Sequence, residues 1–104
     1  MADRLKSEAV ILYTSRGRSP FPRADLEAVR MMPTPAAAAL ARFVEALAME
    51  VSAAFPLDWR GEHDDLDVPQ AMRAIEAAVL GRHPDLSPEA AAALAWKWSY
   101  SAVR

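Results

Sequence analysis

The run TPAAAALARFVEALAMEVSAAFP, residues 34 to 56, limits the fold more than any other part of the chain. Leu40, Phe43, Val44, Leu47, Val51 and Phe55 recur at spacings of three and four, which lines one face of an α-helix. Thr34 suits the N-cap, and Pro35 suits the first helical position, where a missing N–H costs nothing. Pro56 ends the segment, so a helix of roughly five to six turns is expected. Arg42, Glu45 and Glu50 lie on or near its polar side. A stripe of this kind must be buried against other amphipathic elements, and the rest of the chain supplies them.

Asp67 fits an N-cap with Gln70 returning the hydrogen bond, and Met72, Ile75 and Val79 follow as a buried stripe. Gly81 suits the left-handed position after a helix and Pro84 comes soon after, so this helix is expected to end near Leu80. Ser87, Pro88 and Glu89 open another that continues towards the C-terminus, with its helix dipole favouring the early anion. Near the N-terminus, Leu5, Ala9, Leu12 and Tyr13 share a helical face, with Asp3 as cap and Gly17 just past the end. A shorter helix carries Leu26, Val29 and Met32. The expectation is an all-α single domain over residues 1 to 104, a bundle of four or five helices. The alternative places short strands near residues 9 to 14 and 96 to 100, where AVILYT and the alternation of Trp96, Trp98 and Tyr100 suit a strand.

Length and composition agree with one small core. At 104 residues a chain buries around two thirds of its unfolded surface. The 53% hydrophobic content includes 23 alanines, which favour helix and bury little area each. The absence of Cys excludes disulfides, thiolate catalysis, zinc fingers and iron–sulfur clusters. No run is apolar over the length of a bilayer, and MADRLKSEAVILYTS lacks the features of a signal peptide. The chain therefore reads as cytoplasmic, with no membrane contact and no cofactor. A net charge of -2 gives no basic field for nucleic acid, although charge is unevenly spread.

The negative charge gathers in PLDWRGEHDDLDVPQ, residues 56 to 70, where Asp58, Glu62, Asp64, Asp65 and Asp67 face Arg60 alone. Oxygen ligands at this density suit calcium or magnesium, and His63 with Asp64, Asp65 and Asp67 is the candidate metal set of an alternative, metal-dependent or small-ligand enzyme. No register satisfies the EF-hand pattern, however. Helix capping by Asp67 and solvation of a surface loop account for the carboxylates more simply. An acidic loop with an aromatic anchor is also a docking surface for a basic partner. On that reading Asp58, Trp59, Glu62, Asp64 and Asp65 bind another protein. Trp59 could instead fold back over the core edge beside Phe55 and Leu57.

Positive charge gathers in RGRSPFPR, with Arg16, Arg18 and Arg23 around Phe21. Such a loop is ordinarily a solvated linker; it also suits phosphate or the acidic loop of another copy, which gives the second alternative, a nucleic-acid-binding accessory protein. In WKWSY, Leu94 and Trp98 share one helical face while Trp96 and Tyr100 share another. A helix apolar on two sides is central to a bundle or meets a partner, so Trp96 and Tyr100 join the candidate partner-binding residues, with a homodimer through this helix as one outcome.

His63 and His83 are the only imidazoles, and neither belongs to a nucleophile, zincin or phosphate-loop motif, so no catalytic residue is assigned. His83, between Gly81 and Pro84, suits contact with helix-end carbonyls. The stretch FPLDWRGEHDDLDVPQAMRAIEAAV resembles the aromatic, Asp-Trp, acidic-loop and helix pattern of some small bacterial immunity proteins of contact-dependent inhibition systems. The resemblance implies a non-enzymatic interaction module of immunity or antitoxin type, with a basic toxin or enzyme as partner.

Overall fold

The computed structural model describes residues 3 to 55 and 68 to 102. Among these, five α-helices follow one another: α1 (Arg4–Thr14), α2 (Leu26–Arg30), α3 (Ala37–Ala54), α4 (Val68–Arg82) and α5 (Pro88–Ala102). No strand occurs among them; a lone bridge between Arg16 and Ser19 is the nearest approach. The strand alternative for residues 9 to 14 and 96 to 100 is thus corrected, because both lie inside helices. For α5 the reason is visible in its start. The Ser87 hydroxyl accepts the Ala90 N–H at 3.2 Å, and no Gly or Pro interrupts the helix afterwards.

The helices pack as two pairs, α2 on α3 and α4 on α5, and α1 touches α2, α3 and α5. A radius of gyration of 13.3 Å matches the ~13 Å expected of a globule of about 100 residues. Val10, Val29, Val44 and Ile75 are the largest apolar side chains with no exposure, one from each of the first four helices. On α5, Ala90, Ala91, Ala93 and Ala95 are also wholly buried, beside Leu94 and Trp98. With only a methyl group at these positions, neighbouring elements approach the helix closely.

Two boundaries and one buried face differ from the sequence expectation. The long helix starts at Ala37, not Pro35, because Thr34 closes a preceding turn: its hydroxyl accepts the Ala36 N–H and its carbonyl the Ala37 N–H, each at 3.2 Å. Gly81 is helical, and α4 runs on to Arg82 until Pro84 disfavours further helix. On α1 the buried face is Ser7, Ala9, Val10, Tyr13 and Thr14, while Leu5 is 41% exposed. The face turns towards Ser7 because its hydroxyl accepts the Ser87 N–H at 2.9 Å, joining α1 to the turn before α5.

The alanine run of α5 gives a test of the packing. Ala93→Leu should lower unfolding free energy by about 1–3 kcal/mol in urea melts, since a full core has no room for three more carbons. Ala38→Leu, on the exposed side of α3, should stay within about 0.5 kcal/mol of the parent.

Candidate functional site

The loop after α1 is built by the need to satisfy that helix's last carbonyls. Ser15 takes a left-handed conformation (φ 65°) and donates its N–H to the Leu12 carbonyl, which also accepts from Arg18 Nη2 at 2.9 Å. The Thr14 hydroxyl donates to the Ile11 carbonyl at 3.0 Å. The backbone N–H groups of Asp25 and Arg23 reach the carbonyls of Tyr13 and Thr14 at 2.9 and 3.2 Å. The segment expected to be a solvated linker is therefore the C-terminal cap of α1.

Held this way, the loop crosses α5. Arg16 Nη1 donates to the Ala92 carbonyl at 3.1 Å, and its guanidinium lies 5.6 Å from the Trp96 ring centroid, within cation–π range. Tyr100 packs edge-on against Trp96 at 5.8 Å and against Phe21 at 6.0 Å, and its hydroxyl stands 3.5 Å from the Pro20 carbonyl. The outcome is a surface ridge in which Phe21 is 63% and Tyr100 38% exposed. Arg18 lies 3.7 Å from Asp25, whereas Arg23 is exposed and makes no side-chain ion pair among the described residues. Of the residues the sequence singled out, Trp96 and Tyr100 are here, joined to the arginine loop. Sequence reading missed that union because it links positions some 80 apart, with only the shared aromatic content of both segments as a hint.

At the other end of α1 a second polar group forms. Lys6 Nζ donates to Asp85 Oδ2 at 2.7 Å and lies 5.0 Å from the Phe43 ring centroid. Phe43 packs edge-on to His83 at 5.9 Å. His83 Nε2 is 2.7 Å from Glu50 Oε2, and Arg82 Nη1 donates to Glu50 Oε1 at 2.8 Å. The His83 ring thus binds a carboxylate of α3 instead of helix-end carbonyls. The hydrogen bond to His83 holds the Glu50 carboxyl below its ordinary range. The Lys6 ammonium does the same to Asp85, and Asp85 in turn raises Lys6.

A cleft of about 630 Å³ lies between α3 and α5 beside Tyr13, lined by Phe55, Leu94, Trp98, Glu45 and Lys97 among others. Burial, and after it the Glu45 carboxylate, push the Tyr13 hydroxyl's pKa up. Trp98 Nε1 donates to the Phe55 carbonyl at 2.8 Å, closing the apolar side.

Asp58, Trp59, Glu62, His63, Asp64, Asp65 and Asp67 lie outside the described residues. Among the described residues no three or more His, Asp or Glu side chains gather where they could hold a metal ion. Nor is any helix among them long and apolar enough to cross a membrane.

Comparison with family models, curated proteins and solved structures finds no match for this chain.

The ionic group sets the pH response. Glu50 and Asp85 have lowered folded-state values, so their stabilisation is present above the ordinary carboxylate pKa of about 4 and is lost as pH falls through it. Lys6, raised, contributes below about 10.4 and loses its contribution as pH rises through its folded value. Melting temperatures should therefore fall from roughly pH 5 to pH 3, and Glu50→Gln with Asp85→Asn should flatten that limb. An unchanged slope in the double variant would show that other carboxylates govern it.

Proposed function

We propose that this chain is a small helical protein–protein interaction module whose contact face is the ridge of Phe21, Tyr100 and Trp96 with Arg16 and Arg23. The observation that carries the reading is the exposed Phe21–Tyr100 pair. The Phe21 ring stands largely in water and that of Tyr100 partly so, yet they belong to a loop and a helix fixed by hydrogen bonds. Aromatic and arginine side chains are what interface centres favour, and a pre-ordered surface loses little entropy on binding. Photo-crosslinking from position 100 in lysate of the source cells should give a partner band that Phe21→Ser removes. Met31→Ser, a control at a residue 74% exposed elsewhere, should leave the band intact. Equal bands in all three proteins would refute the ridge as the contact face.

A more specific reading is supported by the carboxylates of residues 58 to 67 and by the resemblance of residues 55 to 79 to small immunity proteins. In this version Asp58, Trp59, Glu62, Asp64 and Asp65 engage a basic partner, such as a nuclease-type toxin, by charge complementarity. Charge reversal at Asp64 and Asp65 should then abolish co-purification of that partner at low salt. Retention of the partner would exclude the acidic run from the contact.

A further inference from the structure

We infer that the ridge of Phe21, Tyr100 and the loop arginines receives the acidic run, residues 58 to 67, of a second copy of this chain, so that two copies pair reciprocally. The inference rests on the interaction-module reading and names its partner. Its ground is charge complementarity within one sequence. Residues 16 to 23 carry Arg16, Arg18 and Arg23 with no acid, whereas residues 58 to 67 carry five acids against Arg60. Arg18 is met by Asp25 at 3.7 Å, while Arg16 and Arg23 make no ion pair among the described residues, in a chain that sums to only -2.

The ridge offers what an acidic segment with an aromatic needs. Arg23 is exposed and makes no side-chain ion pair among the described residues, so its charge can meet a carboxylate without breaking a contact within them. Arg16 keeps its hydrogen bond to the Ala92 carbonyl through one guanidinium nitrogen, and its remaining donors stay available for a carboxylate. Phe21 and Tyr100, packed edge to face, provide an apolar surface for Trp59 or Leu66 of the other copy. Each copy carries both halves of the contact, and a closed two-fold pair is the commonest assembly of identical chains. A single-stranded nucleic acid would use the same rings and guanidinium groups, but the chain's negative net charge opposes it.

Sedimentation equilibrium of the full chain tests this across concentration and salt. The expected result is a mass rising from one chain towards two at low salt, with the association constant falling about tenfold or more between 0.05 and 0.5 M salt as screening grows. Arg23→Glu, and separately Asp64→Lys with Asp65→Lys, should each remain monomeric while keeping parental circular dichroism. An equimolar mixture of the two charge-reversed proteins should form a heterodimer in native mass spectrometry, since each then supplies the half the other lacks. A monomer at every concentration, an association indifferent to both reversals, or binding of a single-stranded oligonucleotide in place of self-association would overturn the proposal. Monomeric behaviour together with a Phe21-dependent crosslink would overturn only the self-pairing and leave the module reading standing.

Discussion

A helix of eleven residues does not hold itself together in water, and α1 is that short. Its stability comes from being gripped at both ends by parts of the chain far away in sequence. At the N-terminal end the Asp3 N–H bonds the Asp85 carbonyl, Lys6 pairs with Asp85, and the Ser7 hydroxyl accepts the Ser87 N–H. At the C-terminal end the following loop covers the carbonyls of Leu12, Tyr13 and Thr14, the Thr14 hydroxyl bonds that of Ile11, and Arg16 reaches the Ala92 carbonyl of α5. Because α1 touches both helix pairs, this grip joins them into one globule together with the direct bonds of Glu50 to Arg82 and of Trp98 to Phe55.

Each grip serves a second purpose. Capping α1 draws the arginine loop against α5, and that same placement sets Phe21 beside Tyr100. The N-terminal grip sets Lys6 over Phe43, which in turn packs on His83, so the ion pair of Glu50 with Arg82 and His83 belongs to the same connected group. Surface pairs like these contribute little individually. Their effect is to fix how α1 and α3 sit against the end of α4 and the turn that follows it.

Helical character was readable from local pattern wherever spacing and caps agreed. Asp3 and Ser87 cap as expected, and Leu40, Val44, Leu47 and Val51 form the buried stripe that their spacing implies. What was not readable depends on distant partners. Gly81 has the residue type of a helix stop, but nothing forces φ positive while Pro84 supplies the stop three residues beyond it. Leu5 fits an apolar stripe, yet the hydroxyl of Ser7 is claimed by Ser87 and the helix turns accordingly. The ridge was half legible: Trp96 and Tyr100 stood out as a second apolar face, but their covering by Arg16 and Phe21 arises from the carbonyls of α1, which no local motif announces. The acidic candidates, Asp58 to Asp67, remain known by their sequence alone.

Arginine bound to backbone carbonyls explains why the ridge suits recognition. A flexible loop that presents Phe21 would lose conformational freedom on meeting a partner, at a cost of about 1–2 kcal/mol per residue ordered. Here the N–H groups of Ser15, Arg23 and Asp25 already bond carbonyls of α1, and those of Arg18 and Ser19 bond the Ser15 carbonyl within the loop. The ordering cost is met in folding, by satisfying helix-end carbonyls that would otherwise need water or another cap. The same hydrogen bonds therefore stabilise the fold and leave an exposed aromatic edge rigid, a combination that folding alone does not require, since a single αL glycine after α1 would have capped it with no Phe21 in water.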